Sequence, residues 1–148
     1  MAGGQLVKLE EGGELPALTK AVTQQNINLY AEASRDFNPV HINEQFARKT
    51  PLGGTIAHGM LILAYVSEMM TAAFGERWLS GGKLDVRFKA AARPGDTITV
   101  SGRIIKLEKV DGQTTITSAV LCSNQKGEAI ITGEATLTLQ EHDLAQKD

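Results

Sequence analysis

Cysteine is almost absent from this chain of 148 residues, which contains only Cys122. A lone cysteine excludes an intrachain disulfide and any metal site made of several cysteines. Because Cys122 lies in an alternating apolar segment, we predict that it is a small residue of the core.

The chain has neither a large excess of charge of one sign nor a long apolar run. The formal net charge is −2 at pH 7, which provides no broad basic surface for nucleic acid. The longest apolar stretch, 60–66, is too short to cross a bilayer. The glycine-rich, uncharged segment 1–5 does not resemble a signal peptide. We therefore expect a cytoplasmic enzyme or binding protein that binds neither nucleic acid nor membrane.

Size and composition are those of an ordinary globular domain. The apolar fraction is 42% and the charged fraction is 22%, and a chain of this length can bury one core. No internal repeat or second domain is visible. Residues 1–148 are therefore predicted to form one domain, with a loose polar tail at 141–148.

Helical signals dominate the first half of the chain. After a first strand at 15–22, Thr23 is a suitable N-cap for a helix from Gln24 to about Ser34.

A short helix at 44–48, capped by Asn43, is predicted to bury Phe46 and Ala47. The next helix, 56–74, is apolar on every side over most of its length. A helix of that kind must be surrounded by protein, so we predict one central, enclosed helix.

The second half of the chain alternates with a period of two. Four strands are predicted at 83–88, 97–110, 114–123 and 129–139. Short turns make these strands antiparallel, and such a sheet buries one face. Wrapping that face around the single apolar helix gives an α+β fold of the hot-dog architecture.

Two local signals refine the sheet. Asp111-Gly112 is a strong hairpin signal. The alternation slips at Ile104-Ile105, which indicates a bulge in the long strand.

An acid and an imidazole flank an Asn-Pro step in the segment Asp36-Phe37-Asn38-Pro39-Val40-His41. A regular strand would point the two side chains to opposite faces, and a helix would separate them by roughly 140°. Proline pushes Asn38 out of the α region. An irregular turn can therefore aim both side chains at one point.

Each of these residues also has a purely structural interpretation. An aspartate before Asn-Pro is commonly an Asx-turn residue or a cap, and a histidine beside a turn is commonly a surface residue. Only the combination with Ala57-His58-Gly59-Met60, which opens the apolar helix, favours a functional site.

Over nearly its whole length the chain resembles the MaoC-like family of (R)-specific enoyl-CoA hydratases. The resemblance rests on Tyr30 to Ser34 followed by Asp36 to His41, and on Ala57 to Met60. Weaker similarity is found at Val86-Arg87-Phe88 and Pro94-Gly95-Asp96. The resemblance implies reversible addition of water to a trans-2-enoyl-CoA, giving an (R)-3-hydroxyacyl-CoA, without a metal or redox cofactor.

On this resemblance, Asp36 and His41 are the expected catalytic pair, sharing one water and dividing the acid and base tasks. The amide of Gly59 at the helix opening is expected to stabilise charge on the thioester oxygen. Asn38 and His58 are expected to support the site, with Asn38 holding the shape of the loop.

One position departs from the family. Several relatives carry a supporting serine where Ala64 aligns on the central helix. Either Ser67, one turn further on, takes its place or this support is absent.

A group of basic residues surrounds one predicted strand and its turn. The group consists of Lys83, Arg87, Lys89 and Arg93. It either forms a solvated edge or contacts the phosphates of CoA, through Arg87, Lys89 and Arg93. The resemblance further implies an acyl-CoA substrate and a homodimer.

Two rival functions remain open. A hot-dog thioesterase would place its carboxylate on the central helix, where Glu68 is the only acid. A non-catalytic acyl-binding subunit of a heteromeric dehydratase would need neither Asp36 nor His41. The sequence does not fix the acyl chain length, the choice between CoA and acyl carrier protein, or the pathway.

Overall fold

Residues 7–145 are described by the structure, which is a computed structural model. Five strands form one antiparallel sheet. They are β1 (Leu18–Ala21), β2 (Lys83–Phe88), β3 (Thr97–Val110), β4 (Gln113–Ser123) and β5 (Ala129–Gln140). Their order across the sheet is β1-β3-β4-β5-β2, which leaves β1 and β2 at the edges.

Six helices accompany the sheet within the described residues. They are α1 (Gln24–Ser34), α2 (Pro39–Ile42), α3 (Glu44–Arg48), α4 (Gly59–Phe74), α5 (Glu76–Gly81) and α6 (Glu141–Ala145). The helix α4 packs against β1, β3 and β4. A sheet curved around one long helix is the hot-dog fold of the α+β class, as predicted.

The predicted hairpin and bulge are both confirmed. Val110 pairs with Gln113 across a turn in which Asp111 and Gly112 have φ values of 51° and 75°. Two consecutive positive φ values define the type I′ turn that suits the twist of a hairpin. The register of β3 shifts between Ile104 and Lys106, next to the predicted slip.

One side of α4 holds the core together. Its side chains Ile62, Tyr65, Val66, Met69 and Met70 are all buried. Their spacing is that of one helical face, and burial of each large apolar side chain contributes about 1.5–3 kcal/mol.

Complete enclosure of α4 is wrong for the single chain. A stripe at helical spacing, Met60, Ala64, Glu68 and Ala72, faces outward, and Met60 is 58% exposed. The helix also begins later than predicted, at Gly59, because 55–58 runs in an extended loop.

The helix α3 forms as predicted, but its buried side differs. Ala47 is fully buried, whereas Phe46 is 45% exposed. A helix of five residues has room for one buried row, and here the smaller residue occupies it.

The short helix α5 has no clear periodicity and was not predicted. Its anchor is Trp78, which is 5% exposed and donates from Nε1 to Ser67 Oγ at 2.9 Å. The ring lies directly over Gly82, where an added Cβ would approach Trp78 Cε3 to 2.3 Å. Glycine at 82 therefore allows the tryptophan to pack onto the backbone.

The polar tail also differs from the prediction as far as it is described. Residues Glu141–Ala145 form α6 instead of a loose segment. Asp143 accepts from Gln140 N at 2.8 Å and pairs with Arg77 of α5. Residues 146–148 lie outside the described part of the chain.

Two further expectations concern Cys122 and the length of the apolar segments. Cys122 is buried, as predicted, and this burial raises the pKa of its thiol to about 11. Between residues 7 and 145, no helix combines the length and apolar character needed to cross a membrane.

Candidate active site

Helix α1 ends immediately before the candidate site. Its C-cap is Arg35, whose φ of 64° is left-handed and turns the backbone away. Asn38 then adopts an extended ψ of 127°, as expected before Pro39, and its Oδ1 accepts from Val40 N at 3.2 Å. Asn38 therefore caps α2, which agrees with the prediction that it holds the loop.

The helix α2 itself was missed. It is one turn long, begins at Pro39 and carries His41. Proline is well suited to the first helical position because its missing N–H would have no partner there. The irregular turn predicted for the whole segment is thus confined to 36–38, and a helical turn presents the imidazole.

The two carboxylate oxygens of Asp36 have different roles, one in the local turn and one facing His41. Oδ1 accepts from Asn38 N at 3.2 Å, which is the Asx-turn role. Oδ2 lies 3.8 Å from His41 Nε2. That distance is too long for a direct hydrogen bond, but both atoms can contact one water placed beside them.

Hydrogen bonding fixes the tautomer of His41. Its Nδ1 lies 2.8 Å from the carbonyl oxygen of Ile56, which can only accept, so Nδ1 carries the proton. Nε2 is left with a free lone pair on the side of Asp36. The imidazole is 12% exposed and the carboxylate 52% exposed, so the pair opens to solvent through Asp36.

A network from three other elements supports the backbone around His41. Gln24 Nε2 of α1 donates to His41 O at 2.7 Å. The hydroxyl of Thr55 lies 2.7 Å from Gln24 Oε1 and 3.0 Å from Glu44 Oε2. Thr55 N also donates to Glu44 Oε2 at 3.1 Å. Since Thr55 precedes Ile56, this network fixes the strip of chain that anchors the imidazole.

The network makes stability depend on pH through Glu44. The Thr55 backbone N–H, then Arg48 and the Thr55 hydroxyl, lower the pKa of Glu44 below 4.5. A lowered pKa contributes stability above pH 4.5 that is lost as the pH falls through the folded value. We expect Glu44→Gln to lower the melting temperature at pH 7 and the difference from wild type to vanish as the pH falls below 4.5, measured by circular dichroism.

The control for removal of charge is Glu32→Gln, at an exposed position of α1. This variant should follow the wild-type pH profile. A melting difference for Glu44→Gln that persists unchanged at low pH would contradict the role of the ionised carboxylate.

Gly59 joins two cavities at the start of α4. A chamber of about 250 Å³ is lined by Tyr30, Ser34, Asp36, His41, His58, Gly59 and Met60. A second, largely apolar cavity of about 300 Å³ is lined by Gly59, Ile62, Phe88, Lys89 and Ile130 with the alanines 90–92 and the segment 56–57. The first N–H groups of a helix have no intrahelical acceptor and point outward. The predicted oxyanion donor therefore stands between a chamber that contains Asp36 and the two histidines and a cavity lined mainly by apolar residues.

A side chain at 59 would narrow that junction. An added Cβ would lie 3.0 Å from Phe88 Cε1. Glycine lets the Phe88 ring and any bound molecule approach the helix end closely.

His58 lies inside the site. It is 3% exposed, and its Nε2 donates to the main-chain oxygen of Asp36 at 3.0 Å. The centroids of the His41 and His58 rings are 3.9 Å apart with an interplanar angle of 25°. The structure therefore brings Asp36, His41, His58 and Gly59 together.

Ser67 is not brought to this group. Its hydroxyl accepts from Trp78 Nε1, so it belongs to the contact between α4 and α5. The structure gives Ser67 a structural partner in place of the predicted supporting role.

The three predicted phosphate contacts are also separated. Lys89 borders the apolar cavity beside Gly59. Arg87 is exposed and lies between Val86 and Phe88 on β2. Because side chains alternate along a strand, it projects from the face of the sheet opposite to Phe88, which lines the cavity. Arg93 lies in the turn before β3 and does not line that cavity; its Nη1 reaches Gly54, where an added Cβ would lie 3.9 Å from it.

Distances alone would allow a metal ion among Asp36, His41 and His58, since one ligand atom of each lies within 4.8 Å of the others. The lone pairs of an imidazole lie in its ring plane. Because the two rings are stacked nearly parallel, their lone pairs do not converge on one point. The arrangement favours acid–base chemistry over metal binding.

Asp36, His41 and Gly59 were predicted from the sequence and lie together, whereas the residues that support them, Gln24, Thr55 and Glu44, were not predicted. Contacts of Gln24 and Thr55 span 17 and 31 positions of sequence. No local pattern marks such contacts in a single sequence.

Comparison with known proteins identifies relatives over most of the chain. The family model described as "MaoC like domain" matches residues 10–138. The chain is 36% identical over 133 residues to an (R)-specific enoyl-CoA hydratase of Rhodospirillum rubrum, covering 84% of this chain and 85% of that protein. It is 28% identical over 137 residues to a mitochondrial 3-hydroxyacyl-[acyl-carrier-protein] dehydratase of Arabidopsis thaliana, covering 91% and 81%.

A solved structure agrees with the fold. The (R)-hydratase from A. caviae involved in PHA biosynthesis superposes with a TM-score of 0.75 at 26% identity, covering 89% of this chain and 97% of that one. Hydratases and dehydratases that add or remove water are hydro-lyases. Because the family model matches residues 10–138 and one relative is 36% identical, this chain belongs to the MaoC-like dehydratase family of hydro-lyases.

Proposed function

We propose that this protein is an (R)-specific enoyl-CoA hydratase, which adds water reversibly to a trans-2-enoyl-CoA. The observation that carries the proposal is the separation of 3.8 Å between Asp36 Oδ2 and His41 Nε2 in one chamber with Gly59. The (R) stereochemistry is proposed by analogy with the Rhodospirillum rubrum relative.

The site residues divide the reaction in a simple way. The Gly59 amide donates to the thioester oxygen, which withdraws electrons and makes C3 electrophilic. Asp36 and His41 hold a water, and the pair removes one of its protons as the oxygen bonds to C3. The electron pair of the double bond moves toward the thioester as an enolate. The pair then returns one proton to C2, so it ends as it began.

No metal or redox cofactor is required by this proposal. Both proton acceptors are supplied by the chain, since His41 Nε2 has a free lone pair and Asp36 Oδ2 is outside the Asx turn. Water addition changes no net oxidation state.

The two cavities that meet at Gly59 suit the two ends of a thioester. The chamber that contains Asp36 and His41 takes C2 and C3, while the apolar cavity takes one arm of the substrate, either the acyl chain or the linker to CoA. Lys89 borders this cavity and would offer its ammonium group to a CoA phosphate.

We expect Lys89→Gln to raise KM for crotonyl-CoA about 3- to 10-fold with kcat nearly unchanged, because a phosphate contact binds ground and transition states alike. Added salt should reduce the difference from wild type by screening the contact. Steady-state kinetics at two ionic strengths measure both effects.

Lys109→Gln makes the same change of charge in β3, at the hairpin end of that strand. Its KM should match wild type. An equal rise of KM in both variants would show a general effect of charge in place of a contact at Lys89.

We also propose a homodimer through the edge of β2 that has no partner strand among residues 7–145. β2 is an edge strand, and the exposed apolar residues Phe88 (53%) and Met60 (58%) lie near the site. An unpaired edge with nearby exposed apolar side chains is a surface that proteins normally cover. Sedimentation equilibrium should give about twice the chain mass of 15.9 kDa.

The position of Glu68 argues against the thioesterase alternative, which needs a catalytic carboxylate on α4. Glu68 lies on the outward stripe of α4 and pairs with Lys20 Nζ at 2.7 Å. It is therefore held away from the chamber that contains Asp36 and His41.

Crotonyl-CoA is the substrate for the deciding experiment. Hydration removes the enoyl absorbance without releasing thiol and gives (R)-3-hydroxybutyryl-CoA on chiral analysis. Free thiol would instead establish a thioesterase, and binding without turnover would establish an acyl-binding subunit. A series from short to long enoyl-CoAs and the matching acyl-carrier-protein thioesters would then fix chain length and carrier.

A further inference from the structure

His58 occupies a capping position without acting as a cap. It is the N-cap residue of α4, yet its side chain makes no capping hydrogen bond. Serine, threonine, aspartate and asparagine are the residues that fill this position for stability. Capping therefore does not account for an imidazole at this point.

Core packing does not account for it either. The ring is 3% exposed, and its Nδ1 is buried without a hydrogen-bond partner among the described residues. A buried polar atom without a partner lowers the stability of the fold, because its hydration is lost and not replaced. An apolar side chain of similar size would avoid that cost.

The contacts of His58 reach every part of the catalytic group. Nε2 donates to Asp36 O at 3.0 Å, which anchors the backbone of the carboxylate. Its face stacks on His41 at 3.9 Å, and Tyr30 of α1 packs at 4.8 Å with a tilt of 58°. Gly59, the amide donor, is the next residue in the chain.

We propose that His58 is a positioning residue that sets Asp36, His41 and the Gly59 amide in one fixed arrangement. The hydrogen bond to Asp36 O holds the carboxylate at its distance from the imidazole. The stacked ring limits rotation of His41, so that Nε2 continues to face Asp36. This inference rests on the proposed function for its kinetic part, whereas its structural part is independent of the substrate.

Two variants separate the two contacts. His58→Gln can keep a donor near the place of Nε2 but loses the stacked ring. His58→Phe keeps a stacked ring but loses the donor. His58→Ala loses both.

We expect the glutamine and phenylalanine variants each to lower kcat about 10- to 100-fold, since small displacements of reacting groups have effects of that size. The alanine variant should be slower still, and KM should change less than about 2-fold in all three. In a His41→Asn background the same substitutions should cause little further loss, because residues that act through one another are not additive.

A second measurement does not depend on turnover. The chain has three histidines, so the imidazole nitrogens can be assigned by long-range ¹H–¹⁵N correlation spectra. Loss of the stacked ring in His58→Gln would let His41 rotate away from Ile56 O, whose hydrogen bond sets the tautomer. Wild type and His58→Phe should therefore show His41 as the single Nδ1–H tautomer, and His58→Gln should show a mixture.

The outcomes distinguish the two proposals. If wild type hydrates no enoyl thioester, the proposed function fails, while the His41 spectra still test the role of His58. The inference is overturned if His58→Gln and His58→Phe both retain kcat within 2-fold of wild type. It is also overturned if their losses persist in full in the His41→Asn background, or if His58→Gln leaves one His41 tautomer.

Discussion

Replacing Asp36 by asparagine is expected to lower kcat for hydration of crotonyl-CoA by about 10²–10⁴-fold, the usual contribution of acid–base catalysis. The amide oxygen of asparagine can still accept from Asn38 N, so the Asx turn at 3.2 Å should survive. What is lost is the anionic Oδ2, 3.8 Å from His41 Nε2. Stopped-flow or steady-state loss of enoyl absorbance measures the effect.

The fold should be unaffected by this change. Because Asp36 is 52% exposed at its side chain, removal of its charge should shift the melting temperature by only a few degrees. Near-normal kcat in Asp36→Asn would refute the assignment of the carboxylate to catalysis.

His41→Asn is expected to have an effect of similar size, again about 10²–10⁴-fold on kcat. The amide nitrogen of asparagine lies near the place of Nδ1 and can donate to Ile56 O, replacing the 2.8 Å hydrogen bond. The variant therefore removes only the catalytic Nε2. Its kcat and its melting temperature should be measured side by side.

His41→Gln provides the matched control. Its longer amide places a nitrogen near Nε2 but cannot act as a base, and it does not reproduce the bond to Ile56. It should be as slow as His41→Asn and less stable. Activity in either variant close to that of wild type would exclude the imidazole as a participant.

The regular elements of this fold were largely predictable because their signals are local. The alternation at 97–110 and 129–139, the Asp111-Gly112 turn and the Thr23 cap each depend on neighbouring residues. All three appear in the structure. The bulge near Ile104 was likewise visible as a break in alternation.

The short helices were harder to predict because packing determines them. Helix α5 depends on the distant contact of Trp78 with Ser67, and α6 on Asp143 with Arg77. In α3, the sequence could not show that Ala47 would be buried and Phe46 exposed.

The candidate site was predictable at its centre and not at its periphery. Asp36 and His41 lie on either side of an Asn-Pro break that marks an unusual turn, and Gly59 marks the helix opening. The support from Gln24 and Thr55 depends on tertiary contacts. The partner of Ser67 was hidden in the same way, since Trp78 lies on another helix; of the two alternatives left open, this contact favours absence of the support.

Trp78, the only tryptophan of the chain, gives the protein an intrinsic fluorophore in a well-defined setting. Its indole is buried and hydrogen-bonded to Ser67, so emission should shift to the red when α5 leaves α4. Neither residue lines the chamber of Asp36 and His41. Emission spectra can therefore monitor integrity of the fold in each variant without interference from the chemistry being altered.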